Sequence, residues 1–469
     1  MSKLSRSSVF LDVEPGAERA PVEPDSETPF RILLIGDFSG RANRRAAPAE
    51  RLRPVLVDRD NFDDVLARMG AALRLGGEKQ GITLPFRELE DFHPDRIYEQ
   101  PLFAALREKR RGVAEGLPPA APPAEARPAA PPEPSRLASG SLLEDMLEAT
   151  ESGPAKPARR PDELRAFIER AVAPHLTPKE DPRVPKLQAA VDEETGKVMR
   201  AILHHPDFQA LEAAWRGVFL LIQGLETGTQ LKLYLLDLSK AELAASTGKL
   251  HRLLVEDTSI PGAEPWAVVA GNFAFSRREA DVALLGGLAR IMQAAGAPFL
   301  AECDPAGDAD SQEAARMWSA LRHSPEAAWI GLALPRFLLR LPYGKNTDRL
   351  ESFAFEEMPG KPEHGRYLWG NPAFACVYLL GQAFSSRGWE MRPGLFQELR
   401  GLPLHAYEAD GEQRLQPCAE TWMTEKDADW IMEQGFMPLA SIKNQDAVRL
   451  VRFQSIADPP RALAGRWGG

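Results

Sequence analysis

Four aspartates, Asp58, Asp60, Asp63 and Asp64, stand at the spacing of the first half of a calcium loop. Such a loop needs a glycine at its sixth position and a bidentate glutamate at its twelfth, and the chain has Asp63 and Met69 there, so calcium is discounted. Gly36-Asp37-Phe38-Ser39-Gly40 is bracketed by glycines as a phosphate loop is. It lacks the Gly-Lys-Ser/Thr that would carry a β-phosphate and its metal, and it reads as a plain strand-exit turn. His204-His205 could begin a metal site, but no further ligands follow at metal-binding spacing, and a place at a helix start suits the pair better. Asp281, Glu302 and Asp304 fall where strands end and helices begin, positions at which carboxylates are usually solvated. GxGxxG, GxSxG, HExxH and Walker patterns are missing. Arg336, Arg340 and Arg349 could face phosphate, yet Glu351, Glu356 and Glu357 follow closely, and internal ion pairs are the better expectation. The residues therefore assign no catalytic group, no cofactor and no metal.

The elements that carry these residues fall on either side of a spacer. Val113 to Pro134 holds eight prolines and seven alanines in 22 residues, a composition that buries almost nothing and favours extended polyproline II. The chain has 469 residues, 44% of them hydrophobic, enough for two to four domains. With 57 basic against 67 acidic residues the net charge is −10, which disfavours nucleic acid or an anionic membrane as the main partner. Cys303, Cys376 and Cys418 lie far apart and read as reduced thiols. Met1 to Phe10 lacks the apolar core of a signal peptide and no apolar run approaches a bilayer span, so a cytoplasmic protein is expected.

Before the spacer, Ser8 to Val13 has strand-like content but no adjacent pairing partner, and a disordered tail is the competing reading. Pro29 to Ile35 is a buried strand candidate. Asp60 or Asn61 caps a helix whose apolar face is Phe62, Val65, Leu66 and Met69. A strand over Ile82 to Phe86 and a helix from Tyr98 to Arg111 complete a small α/β module. After the spacer, Leu142, Leu143, Met146 and Leu147 share one face of a short amphipathic helix, which is stable only when docked. A helical region is expected over Pro161 to Val172. Pro206 opens a strong helix with the stripe Phe208, Leu211, Trp215, Val218 and Ile222. Strands Leu231–Leu238, Trp266–Ala270, Pro298–Glu302 and Trp329–Leu334 then alternate with helices, two of them opened by the capping boxes Ser239 to Glu242 and Ser276 to Glu279. That alternation predicts an α/β fold with a mostly parallel or mixed sheet flanked by helices.

TPFRILLIGDFSG, RPVLVDRDNFDDVL and ITLPFRELEDFHPDRI, in this order, resemble the small sheath subunit of type VI secretion systems, the TssB or VipA family, over residues 7 to 112. HHPDFQALEAAWRGVFLLI, AVVAGNFAFSRREADVALLGGLARIMQAAGAPFLAE, LPRFLLRLPYG, YLWGNPAFA, FSSRGWEMRPG and GFMPLASIKNQDAVRLVRFQS resemble the large subunit, the TssC or VipB family, over Ser139 to Ser455. The resemblance implies a fusion of the two. It divides into an arm (1–28), a TssB-like module (29–112), a linker (113–138), a helical segment (139–200), a TssC-like domain (201–460) and a tail (461–469).

Several expectations follow from the resemblance alone. The protein is a structural, non-enzymatic component that works by assembly, with no cofactor. Val9, Phe10, Leu11, Asp12 and Val13 stand where the family's donor-strand arm does, with Leu11 in place of an aromatic residue. Leu142, Leu143, Met146 and Leu147 stand where the large subunit presents a helix to a ClpV-type unfoldase. Partners would be sheath subunits or further copies, with baseplate and inner-tube proteins as further candidates. The family's additional C-terminal domain has no counterpart here, which suggests an accessory subunit that caps a sheath end or binds the baseplate. The alternatives are an ordinary sheath-forming subunit and a diverged α/β enzyme.

Overall fold

A computed structural model of the chain describes residues 24–47, 50–76, 81–114 and 184–467. The arm Val9 to Val13, the segment Leu142 to Leu147 and the helix expected over 161–172 lie outside the described residues.

The N-terminal half runs β1 (Phe30–Gly36), α1 (Arg41–Arg44), β2 (Val55–Val57), α2 (Phe62–Met69), β3 (Ala72–Leu75), β4 (Ile82–Pro85), α3 (Pro94–Glu99) and α4 (Ala104–Ala114). The single helix expected from Tyr98 to Arg111 is split, because Pro101 cannot continue α3 and opens a 3₁₀ turn before α4. The second half starts with α5 (Val184–Leu203), α6 (Pro206–Gly224) and β5 (Leu231–Asp237). Val113, counted with the spacer on composition, lies in the last turn of α4 and packs against Val191 of α5.

The chain continues through α7 (Lys240–Ala245), α8 (Thr247–His251), β6 (Val268–Phe275), α9 (Glu279–Ala295), β7 (Phe299–Cys303), α10 (Gln312–His323) and β8 (Ile330–Leu334). Then come β9 (Phe337–Leu338), β10 (Trp369–Gly370), α11 (Pro372–Arg387), β11 (Glu398–Arg400), the hairpin β12 (His405–Ala409) and β13 (Glu412–Gln416), α12 (Glu425–Glu433), β14 (Met437–Ser441) and β15 (Ala447–Leu450).

Nine strands form one mixed sheet in the order β11-β15-β14-β8-β7-β6-β1-β5-β2. The α/β class expected from the sequence is therefore observed. What the sequence could not place is β1, which lies between β5 and β6 and runs parallel to both. Phe30 sits opposite Leu231 and Ile32 opposite Val268, so a strand of the N-terminal half fills the slot between two strands of the second half. β2 adds an antiparallel edge beyond β5. A strand covered on both faces needs an unbroken apolar run, and FRILLIG supplies it.

Its side chains divide between two cores. Phe30, Ile32 and Leu34 join the layer containing Phe62, Trp215 and Phe374, carried by α2, α6 and α11. Leu33 and Ile35 join Leu250, Leu285 and Leu288 of α8 and α9 on the opposite face. All five are at most 2% exposed, and burial at about 1.5–3 kcal/mol each is worth on the order of 10 kcal/mol. On the first face, Gly217 lets α6 meet α11 closely, since a Cβ there would lie 2.5 Å from Cε2 of Phe374.

Candidate functional site

The seam between the halves carries a set of polar contacts. At the exit of β1, Asp37 accepts from the amide of Ala42 at 2.8 Å. Asp237, at the end of β5, accepts from the amides of Phe38 (2.9 Å) and Ser39 (3.1 Å) and from the Ser39 hydroxyl (2.7 Å). Burial pushes the Asp237 carboxyl up, and the Ser39 hydrogen bond offsets part of that. Arg41 crosses to Glu242, with Nε 2.9 Å from Oε2 and a second contact of 2.6 Å from its terminal nitrogen. The Arg41 hydrogen bonds, opposed by partial burial and aided by Ser239, hold Glu242 at about 2. Open α/β sheets bind ligands beyond the carboxyl ends of such strands. Here the chain's own Asp37, Asp237, Arg41 and Glu242 occupy that position, and with Glu242 matched by Arg41 the two aspartates repel a phosphate.

Four further contacts pin the N-terminal half. Trp215 Nε1 donates to the Phe38 carbonyl at 2.8 Å, and Trp389 Nε1 donates to the Thr28 carbonyl at 2.7 Å. The Arg31 guanidinium lies 3.9 Å from the ring centre of Trp266. Asp95 accepts from the amides of Glu351 (3.0 Å) and Ser352 (3.1 Å), which ties α3 to the long loop after β9.

That loop is also clamped by a buried charge cluster. Arg340 donates to Glu212 of α6 at 2.8 Å and to Glu357 at 2.8 Å, and Arg216 donates to Glu212 at 2.7 Å. Glu212 and Glu357 are both 0% exposed. Burial alone would raise Glu357, but the Arg340 charge, His204 and the Tyr343 amide overcome it and hold the carboxyl at about 2. Nε2 of His204 lies 3.3 Å from Oε1 of Glu357. His205 caps α6, its Nδ1 accepting from the amide of Asp207 at 3.2 Å. His205 thus serves the helix start, and its neighbour His204 belongs to the charge cluster.

The expected ion pairs of the Arg336 to Glu357 segment are rearranged. Arg340 does pair with Glu357, but Arg336 turns to Glu420, Nε to Oε2 2.9 Å, and Arg349 is exposed. Both Glu212 and Glu420 stand too far away in sequence to be foreseen.

The three carboxylates weighed for chemistry do not converge. Asp281 is bound by Lys240 at 2.5 Å and by the Ser276 hydroxyl at 2.7 Å. That contact also replaces the Ser276 to Glu279 capping box, since α9 is capped at Arg278. Glu302 faces Arg336 at 3.9 Å, and burial, only partly countered by Arg336, pushes it to about 7. Asp304 accepts from the amide of Ala306 within its own turn. Among the described residues no group of three His, Cys, Asp or Glu could hold a metal. No described helix is long and apolar enough to cross a membrane.

Among the described residues the carboxylates weighed for chemistry do not converge, and many polar side chains join the two halves of the chain. The sequence profile described as EvpB/VC_A0108, tail sheath N-terminal domain (VipB) matches residues 186–457, more than half of the chain, and the chain belongs to that family. A second profile, type VI secretion system VipA, VC_A0107 or Hcp2, matches residues 5–115, so one chain carries both parts. The type VI secretion system sheath protein TssC1 of Pseudomonas aeruginosa strain PAO1 is 33% identical over 302 residues, 58% of this chain and 61% of that protein. The chain thus spans about three fifths of that relative's length. Its relatives are structural sheath proteins, not enzymes.

Two solved structures overlap at 17% identity: the anti-feeding prophage baseplate, TM-score 0.31, over 54% of this chain and 53% of that one, and the prophage's contracted helical sheath, TM-score 0.27, over 52% and 53%.

Proposed function

We propose that the chain is a structural subunit of a type VI contractile-sheath assembly in the cytoplasm, in which the VipA-like and VipB-like parts act as one protomer. The observation that carries this is β1: a strand from the VipA-matching segment is built into the centre of the sheet formed by the VipB-matching segment. The two parts are then joined in a fixed ratio.

The finer reading is an accessory subunit that binds a sheath end or the baseplate. Its support is the bluntness of the sheet edges. β2 and β11 are three residues long, and β11 is braced by Arg400 and Arg449 around Glu398. Short, charged edges offer few backbone bonds to a neighbouring strand. In this reading Val9 to Val13 donates a strand to a sheath subunit, and inner-tube or ClpV-type partners meet the assembly rather than this fold alone.

Negative-stain electron microscopy tests both levels. Purified protein should form no long tubes alone, and mixed with elongating sheath it should mark tube ends and shorten the tubes. Long hollow tubes from this protein alone would replace the accessory reading with the ordinary sheath-forming one. Absence of any binding to sheath or baseplate would remove the assembly reading altogether.

A further inference from the structure

On the face opposite α6, a groove of about 360 Å³ runs between α8 and α9. Gly248 and His251 line one wall, and Gly287, Arg290, Ile291 and Ala294 line the other. The spacing along α9 puts Gly287, Arg290, Ile291 and Ala294 on one helical stripe.

Among the described residues nothing packs close against these glycines. A Cβ at Gly248, Gly286 or Gly287 would meet nothing within 4 Å, and none of the three has a positive φ. Yet a helical glycine costs about 1 kcal/mol relative to alanine. Gly287, near the middle of the 17-residue helix, faces Gly248 across the groove and leaves that part of its floor without side chains, so that another backbone can close on it. α8 continues into a π-helical turn, Arg252–Glu256, a rare geometry that is frequent at functional sites.

The groove also has a sign. Arg290 is exposed and has no carboxylate partner among the described residues, while His251 and Arg252 share Glu256 at 3.4 Å each. An occupant should therefore be a short helix with an apolar face for Ile291 and Ala294 and carboxylates for the rim.

We propose that the occupant is the chain's own segment Ser141–Ala149. It offers Leu142, Leu143, Met146 and Leu147 on one side and Glu144, Asp145 and Glu148 on the other, with no basic residue. Nine residues do not hold a helix in water, so this amphipathic pattern needs a surface. The 26 residues from Glu115 to Gly140 extend to ~85 Å, so the tether permits the contact. This inference does not depend on the sheath reading.

Disulfide trapping in the full chain tests it. Cys303, Cys376 and Cys418 are buried and should stay silent, so the pair Met146→Cys and Gly287→Cys should oxidise within one chain. The cross-link should become several-fold slower when Arg290→Glu is added. Cross-linked dimers, showing the segment seated on a second copy, or no cross-link would overturn the proposal. Hydrogen exchange supplies a second readout that needs no cysteine. Replacing Leu142, Leu143, Met146 and Leu147 with serine should raise amide exchange several-fold in residues 247–256 and 284–294. Unchanged exchange there would also overturn it.

Discussion

The β1 slot and the Arg340 clamp both fasten distant parts of the chain, but by opposite physics. β1 is held by five apolar side chains at most 2% exposed and by backbone pairing on both edges. The clamp buries two carboxylates and a guanidinium, whose attraction must first offset the cost of leaving water. The slot therefore contributes affinity without regard to pH. The clamp contributes orientation, because only one loop path brings Glu357 and Glu212 to the same arginine. A seam of this kind needs both, since apolar burial is tolerant of small shifts and ion pairing is not.

Removing Arg340 should break that contrast most severely. Arg340→Met leaves buried Glu212 with Arg216 alone and buried Glu357 with only His204 and the Tyr343 amide, and should cost about 3–5 kcal/mol in urea unfolding at pH 7. The sign of the pH dependence follows from Glu357, whose folded value of about 2 lies below its ordinary one. Its stabilisation is complete above about pH 4.5 and is lost as pH falls toward 2, so the gap between wild type and Arg340→Met should narrow on acidification. A gap constant from pH 7 to 3 would refute the electrostatic account.

Ile32→Ala, in the slot, should cost about 2–4 kcal/mol through lost burial and the cavity left behind. That loss should be the same at pH 7 and pH 4, and a strong pH dependence would show that the slot is not purely apolar.

A third substitution separates burial from pairing. Glu302 has a folded value of about 7, raised from the ordinary one, so its ionisation works against folding increasingly from about pH 4.5 to 7. Glu302→Gln should therefore stabilise the fold by about 3 kcal/mol at pH 8 and have little effect at pH 5. Destabilisation at pH 8 would mean that the Arg336 contact outweighs burial. The smallest effect is expected from Trp389→Phe, which keeps an aromatic ring beside Phe30 and loses the bond to the Thr28 carbonyl, about 1 kcal/mol, with a further cost for the volume of the lost second ring.

Much of the fold was legible locally. FRILLIG reads as a buried strand because nothing in it is suited to water, and the Ser239 box is formed as its spacing predicts. The stripe from Phe208 to Ile222 is buried throughout. Legibility failed where two local partners competed or the partner was remote. Ser276 takes Asp281 instead of closing a box with Glu279, and Arg336 takes Glu420, 84 residues away, instead of a nearby glutamate. Asp95 and the amides of Glu351 and Ser352 carry no mutual signal at all.

Sequence by itself determined the strands β1 and β4 to β8 and which helices have one apolar face, because those properties depend on neighbours within a few residues. Tertiary structure alone decided that β1 enters between β5 and β6 and that Arg340 gathers Glu212 and Glu357. Strand order and buried ion pairing depend on which surfaces the rest of the chain leaves open, and that is a property of the whole packed body.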